Sequence, residues 1–468
     1  AVRIFSQYFI LLTSAEIGIF LHNKALSNYL KLPYNKQIGE ITNNLPYFLS
    51  RGITQLVSGI IFRYLNAISS LTLFLFLSGG LLAAEPRITF LFVFSITIFY
   101  IVINVPFFNF LSKGSKKLYS YNKDHLDSLS GLKWFIKQLK LYGIEDKYYY
   151  NISNLHSNLR KLNTLNNFIS AYPRTLLELL LLLVIIIIIA QNTQSLLTNF
   201  TPRLIFSLLI VQKLLPIFST LYASFTNLIE NKYALKDLLI YLKLPKGKSK
   251  ISIDVSSEEI FSIDIKNVAF KYPKQNRYIF SGISLSIDLN KYYFLEAPSG
   301  YGKSTLLDLI LGLQIPNKGK ISYRGVDLSM DASEIITGKF ISYVPQVNFF
   351  NDGKLKDVLK SHHNNIRIKD KDIYKACKNA ELDSLIDSKG EYLSIDCSNN
   401  LLNFSGGQRQ RFAIAQALIH PKSRMLILDE TLSNIDKKTC KKILDNIKTN
   451  YPKIGVLIIT HDSNIIPD

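Results

Sequence analysis

Hydrophobic positions are arranged in two different ways along this chain, and the change falls near residue 250. In the first part they run almost unbroken. Residues 68–84 carry no charge, and after Glu85-Pro86-Arg87 a second uncharged run extends from Ile88 to Leu111. Leu179 to Ala190 is apolar throughout and continues an approach from about Ser170. Leu204 to Leu228 is interrupted by Gln212 and Lys213, and Tyr8 to Leu21 is a shorter run broken by Glu16. A helix needs about 20 apolar residues to cross a bilayer, so these runs predict five membrane helices, the first the least complete. From Ile260 the period changes. Residues 261–266 and 283–288 alternate apolar and polar, as half-buried strands do. Tyr292 to Leu295, Met425 to Leu428 and Val456 to Ile459 are short continuous apolar runs that read as buried strands. Between the two patterns, Lys243-Leu244-Pro245-Lys246-Gly247-Lys248-Ser249-Lys250 sets Pro and Gly among lysines and reads as a linker. The expected organisation is a helical domain over 1–242, a linker over 243–259 and a second domain over 260–468.

Charge orients the helices. Residues 112–170 hold a run of bases that includes Lys113, Lys116, Lys117, Lys123, Arg160 and Lys161, whereas the short connections at 85–87 and 191–203 carry only Arg87 and Arg203. By the positive-inside rule the basic segment is cytoplasmic and the short connections are outside. Residue 1 then lies outside and everything after Asn231 inside. The chain has 55 Lys and Arg against 35 Asp and Glu, a net charge of +20, with 48% hydrophobic residues and a mean hydropathy of +0.14. No zinc-finger or aromatic RNA-binding pattern accompanies the bases, many of which flank apolar runs. The charge therefore points to membrane lipid and nucleotide as partners, with no nucleic acid. Cys377, Cys397 and Cys440 have neither metal-ligand spacing nor a disulfide layout, which suits a reducing cytosolic face.

Candidate chemistry is concentrated in the second part. The stretch Ala297-Pro298-Ser299-Gly300-Tyr301-Gly302-Lys303-Ser304-Thr305 follows a strand-like run and opens a helix-like one. A glycine-rich turn in that position presents backbone N–H groups to phosphate oxygens. Lys303 would reach the β- and γ-phosphates, and Ser304 would offer a hydroxyl to Mg²⁺. The usual first glycine is Ala297 here, which is tolerated where φ stays negative. Asp429 closes a buried strand and would hold Mg²⁺ directly or through water. Glu430 would polarise the attacking water. His461, ending the strand from Val456, can contact the γ-phosphate. Tyr272 either stacks on adenine or is a plain strand residue. In Phe404-Ser405-Gly406-Gly407-Gln408, two glycines before a helix again offer N–H groups to phosphate, with Ser405 as an added donor.

In their order these elements resemble the nucleotide-binding domain of ATP-binding-cassette (ABC) proteins. The matching set is Tyr272, the loop 297–305, Gln346 after Tyr343-Val344-Pro345, the signature 404–408, Asp429-Glu430, Ser433-Asn434-Ile435-Asp436 and His461. Helices before a cassette on one chain further resemble the exporter-type half-transporters. The resemblance implies an all-α polytopic membrane domain followed by an α/β P-loop NTPase domain, the ABC cassette. It implies ATP and Mg²⁺ as cofactors, with Glu430, His461 and Gln346 catalytic and Ser304, Gln346 and Asp429 at the metal. Tyr272, Ser299, Gly300, Gly302, Lys303, Ser304, Thr305, Ser405, Gly406, Gly407 and Gln408 would hold the nucleotide. Two cassettes would pair head to tail, so that Ser405 to Gln408 act in trans on a second copy of the chain or on a related half-transporter. Coupling helices would lie near 33–45 and 130–145, and the basic 112–170 segment would be two helical extensions. The resemblance covers five of the family's six membrane helices and lacks the last cassette strands, so the chain is expected to be incomplete at both ends. Two departures stand out: Ile395 to Leu401 keeps only Asp396 of the acidic run that often precedes the signature, and Asn434-Ile435 replaces the usual Ala-Leu.

These features predict an ATP-driven exporter or flippase of the bacterial-type cytoplasmic membrane. Its substrate would be amphiphilic, a lipid or lipid-linked saccharide, with a peptide or a drug as the alternative. A membrane-anchored ATP-binding regulator is the reading from another class. Lys213 either lines a cavity or snorkels and pairs with a neighbour such as Glu16. Arg63 either lines the cytoplasmic mouth or sits at the interface. Arg174 and Glu178, four apart, are expected to pair locally.

Overall fold

Every apolar run of the first part lies inside a helix of the computed structural model. The structure describes residues 2–37, 40–84, 86–191, 202–244, 262–273, 275–298, 300–323, 326–327, 338, 340–361, 368–383, 397, 404–420 and 422–460. The chain divides into two compact units, one comprising Ala1–Leu30 and Ile38–Pro245, the other Lys31–Gln37 and Lys246–Asp468.

In the first unit, α1 (Val2–Leu30) is followed, after the short α2 (Tyr34–Gln37) that groups with the second unit, by α3 over 40–84. Helix α3 is not uniform: α-helical segments alternate with π-helical turns at Phe48–Gly52 and Val57–Ile61. Helices α4 (Pro86–Tyr142) and α5 (Glu145–Gln191) run continuously from the apolar segments through the basic ones, so residues 112–170 are two helical extensions, as the resemblance implies. They are joined at Gly143, whose φ of +60° glycine adopts without a Cβ penalty. The coupling helix expected near 33–45 has a counterpart in α2. Near 130–145 the expectation needs correction, because the end of α4 and this one turn occupy that stretch in place of a separate helix. Helices α6 (Pro202–Glu230) and α7 (Lys232–Lys243) complete the unit.

Two spans among the described residues, Ile4–Leu30 and Asn44–Gly80, pass the length and hydropathy test for crossing a membrane, and only 17% and 6% of their windows are buried. A core helix of a soluble protein would be mostly buried. Here the apolar side chains face outward, as lipid requires, with Phe76 79% exposed. Where helices touch, the contacts are specific. Phe48 stacks on Tyr241 at 4.7 Å, and Asn28 Nδ2 donates to the Tyr241 and Leu242 carbonyls at 3.2 and 3.3 Å, tying α1 and α3 to α7. Tyr119 of α4 donates to Asp237 of α7. Arg174 and Glu178 form the expected local ion pair at 2.8 Å. Lys213 and Glu16 are both exposed.

The second unit holds two sheets. An antiparallel sheet has the order β2-β1-β4-β5, from β1 (Ser262–Phe270), β2 (Phe280–Asp288), β4 (Lys318–Tyr323) and β5 (Val326–Asp327). A parallel sheet has the order β3-β8-β7-β6, from β3 (Tyr292–Glu296), β6 (Ile341–Val344), β7 (Met425–Asp429) and β8 (Gly455–Thr460). Helix α8 (Lys303–Ile310) packs Leu307, Leu309 and Ile310 against Ile265, Ile321, Ile427 and Ile459, so one core joins it to both sheets. Small helices α9 (Leu355–Lys360) and α10 (Asp370–Asn379), with α11 (Gly406–Leu418) and α12 (Lys437–Asn450), surround a second core in which Phe412, Ile414, Leu428 and Ile443 are fully buried. All-parallel strands covered this way read as continuous apolar runs, which is how they stand in the sequence.

Candidate nucleotide site

Parallel pairing sets several strand ends on one edge. Glu296 lies opposite Thr460, Asp429 opposite Ile459, and Val344 opposite Leu428. The loops leaving this carboxyl edge carry the chemistry, the usual place for a ligand in an open α/β sheet. After β3 the chain turns through Gly300 (φ +85°) and Gly302 (φ +91°) into α8. A Cβ on Gly302 would lie 2.6 Å from Ile279 Cγ2 and 2.9 Å from Phe280 Cζ, so both dihedral and space demand glycine there. Ala297 is not among the positive-φ residues, which explains how alanine replaces the usual first glycine. Lys303 Nζ donates to the Ala297 carbonyl at 2.7 Å and stands 3.9 Å from Glu430 Oε1.

Glu430 follows β7 with φ +49°, left-handed backbone that a non-glycine residue adopts only where its surroundings hold it. Its N–H donates to the Ile459 carbonyl at 2.9 Å, which fixes that conformation. Gln346 Nε2 donates to Glu430 Oε2 at 2.6 Å. The structure therefore brings Lys303, Gln346, Asp429 and Glu430 together. Tyr272 is half-buried, and its hydroxyl lies 3.2 Å from Thr305 Oγ1, so this aromatic is seated against the phosphate-loop helix. Ser304 opens the same helix. Ser299 and His461 lie outside the described residues.

Ser405 caps α11. Its hydroxyl accepts from Gln408 N at 3.2 Å, and Gln408 Oε1 accepts from Ser405 N at 2.8 Å, a reciprocal capping box. The hydroxyl proton is left to donate outward. Gly406 has open space where a Cβ would stand, whereas a Cβ on Gly407 would sit 2.9 Å from the Asn434 carbonyl oxygen.

Two residues at this edge were not read from the sequence. Tyr343 donates to Asp429 Oδ2 at 3.0 Å; alternation on β6, three residues before Gln346, was the available signal. Asp308, on the inward side of α8, faces Asp429, and burial and then that charge raise its carboxyl to about 6. An acid inside Leu306-Leu307-Asp308-Leu309-Ile310 was the clue. Asp429 is itself raised, by burial first, while the Tyr343 bond and Lys303 pull it down and Glu430 pushes it up. Carboxylates crowded in this way suit a cation. Asp429, the Ser304 hydroxyl and the Gln346 amide are hard oxygen donors of the kind Mg²⁺ takes alongside phosphate and water. Among the described residues there is no cluster of three or more His, Cys, Asp or Glu, so no all-protein metal cage competes with this arrangement.

Because a raised carboxylate pKa means the ionised form is disfavoured in the folded state, Asp308 lowers stability above its folded value and is neutral in effect below about 3.8, where it is protonated folded or unfolded. Asp308→Asn is therefore expected to stabilise the protein in Mg²⁺-free buffer at pH 7.5. The gain should be on the order of 1 kcal/mol after discounting for solvent screening of a half-buried group. Urea denaturation at pH 7.5 and pH 3.5 checks this; the gain should vanish at the lower pH.

Residues 280–433 match the ABC transporter family profile. The Lactococcus lactis lactococcin-A transport/processing ATP-binding protein LcnC is 31% identical over 242 residues, 49% of this chain and 33% of that protein. The ABC multidrug transporter MDR2 of Trichophyton tonsurans is 31% identical over 206 residues, 44% of this chain and 15% of that protein. The chain thus spans a third or less of the length of these relatives. A bacterial Atm1-family ABC exporter solved with ATP bound superposes with a TM-score of 0.80, covering 97% of this chain and 79% of that one at 16% identity, a likeness of fold.

Proposed function

We propose that this chain, whose residues 280–433 match the ABC transporter family and whose fold is like that of a bacterial ABC exporter, hydrolyses ATP to move an amphiphilic substrate across a cytoplasmic membrane. We assign the transport path to residues 1–242 and the motor to 260–468, joined by the linker 243–259. The observation that carries the reading is the meeting of Lys303, Gln346 and Glu430 at the carboxyl edge of the parallel sheet. Lys303 supplies a point charge to the β- and γ-phosphates. Glu430 accepts a proton from the attacking water, and Gln346, bonded to its other oxygen, fixes the carboxylate's orientation. Mg²⁺, when bound by Asp429, Ser304 and Gln346, would supply electrostatic stabilisation of the phosphoryl oxygens.

In this reading the Ser405 hydroxyl and the N–H groups of Gly406 and Gly407 close on the γ-phosphate held by a second copy of the chain or a related half-transporter. Tyr272 flanks the adenine and His461 the γ-phosphate. The substrate we favour is a lipid or lipid-linked saccharide. A peptide is the second reading, motivated by the name of the lactococcin transport protein it resembles. ATPase turnover in lipid nanodiscs, with and without lipid, lipid-linked saccharide or peptide, tests both. Stimulation by one class identifies the cargo. ATP binding without turnover would replace the transporter with a membrane-anchored regulator.

A further inference from the structure

Within the first unit, α3, α4, α5 and α6 line an open cavity of about 490 Å³. Its wall is cationic: Arg51 and Arg63 come from α3, His125 from α4, and His156 and Arg160 from α5, faced by one carboxylate, Glu230 of α6. With neutral imidazoles, three guanidiniums against one carboxylate leave two positive charges. Side-chain amides from each of the four helices, among them Gln55, Asn122, Asn163 and Asn227, make up most of the remaining polar wall, with Thr54 and Ser58.

The π turns of α3 explain how one helix presents so long a polar face. Steps of four residues on a regular α-helix drift by about 40°, so Arg51, Gln55, Gly59 and Arg63 would wind through roughly 120°. The turns at Phe48–Gly52 and Val57–Ile61 hold more residues per turn and cancel much of that drift. All four residues line the cavity. Gly59 lets the Asn231 side chain lie against α3, since a Cβ there would stand 2.8 Å from Asn231 Cγ.

The cations are positioned without being neutralised. Arg51 Nη1 donates to Asn122 Oδ1 at 2.9 Å, an uncharged acceptor. Arg160 Nε donates to His156 Nε2 at 3.2 Å. Arg63 Nε is buried with no acceptor among the described residues. Glu230 is taken up by Asn166, whose Nδ2 donates to it at 3.1 Å. A buried guanidinium N–H without a partner is costly, and a ligand oxygen would satisfy it. The His125 and His156 rings stand 5.3 Å apart. Burial, then His156 and Arg51, hold His125 below the ordinary imidazole value, and an anion placed among them would oppose the two charge effects.

We propose that this cavity binds the doubly charged anionic head, a phosphate or diphosphate, of an otherwise uncharged compound. That this compound is the one transported rests on the function proposed above, whereas binding of the anion does not.

The test uses the full chain in nanodiscs with saturating Mg-ADP, so that the phosphate loop of the cassette is already filled. Labelled inorganic pyrophosphate, a polyprenyl diphosphate and an uncharged polyprenol are compared by scintillation proximity binding. Diphosphate-bearing probes should bind and polyprenol should not. Arg63→Gln removes the unpartnered donor, and Gln55→Glu adds a negative charge while leaving every arginine in place. Each should weaken binding by about tenfold or more. Because a protonated His125 would add positive charge, the affinity of the parent relative to that of His125→Asn should rise as pH falls towards 6, a comparison in which titration of the probe cancels. Binding of pyrophosphate and lipid alike assigns a free diphosphate, and binding of the lipid alone assigns a membrane-borne one; both support the site. Absent binding, equal binding of polyprenol, or full affinity in both charge variants overturns it. ATPase in the same nanodiscs separates the two proposals. Turnover that needs Glu430, without anion binding, removes only the head-group assignment; anion binding without turnover removes only the motor.

Discussion

Glu430→Gln is expected to lower steady-state ATPase between about a hundredfold and ten-thousandfold while leaving ATP binding in place. The amide has the size of the carboxylate and can still accept from Gln346 Nε2, which lies 2.6 Å from Oε2 in the parent, so the local geometry survives. What it loses is the ability to take a proton from water. It also loses the negative charge 3.9 Å from Lys303 Nζ, which leaves that ammonium more available to phosphate. Nucleotide should consequently remain bound for longer, and the pair of chains should persist in the presence of Mg-ATP. Phosphate release, labelled-ATP retention and size-exclusion chromatography check the three parts. Turnover at the parent rate would remove Glu430 from the role of base.

Lys303→Ala is expected to act on the other half of the cycle, weakening ATP by about a hundredfold or more and taking turnover to background. The side chain is only 9% exposed and is held by the Ala297 carbonyl at 2.7 Å, so its charge is aimed into the loop and not into solvent. Hydrogen bonds to charged groups contribute about 1.5–3 kcal/mol each, and a phosphate chain meets more than one ammonium proton. Filter binding of labelled ATP separates this variant from Glu430→Gln, which should keep its affinity. An unchanged affinity would mean that the loop 297–305 is not the phosphate cradle.

The contrast between these variants also shows what could be read without a fold. The strand ends bearing Asp429 and Glu430 and the turn from Ala297 to Lys303 are local: continuous apolar runs followed by acids or glycines mark them directly. The helical extensions at 112–170 emerged only from resemblance, because a basic segment of that length has no single periodic face. Tyr343 and Asp308 were missed for a different reason. Their importance comes from lying next to Asp429 across strand and helix, a neighbourhood created by the order β3-β8-β7-β6 that no spacing along the chain encodes. The π turns were hidden as well, since Phe48–Gly52 and Val57–Ile61 carry no proline and their glycines also occur in ordinary membrane helices. The correction near 130–145 follows the same logic: α4 keeps its hydrogen-bonded ladder to Tyr142, and the chain reverses at one glycine.

The missing side chain at Gly407 has a mechanical consequence. Backbone meets backbone there, with the Asn434 carbonyl where a methyl would stand and nothing compressible in between. The start of α11 and the loop after Glu430 therefore cannot move towards each other without shifting backbone. Ser433 Oγ donates to the Glu430 main-chain carbonyl at 2.7 Å, which ties this loop to the backbone that carries the proposed base. In the proposed pairing, a shift of this loop towards α11 would press on the helix start that carries Ser405.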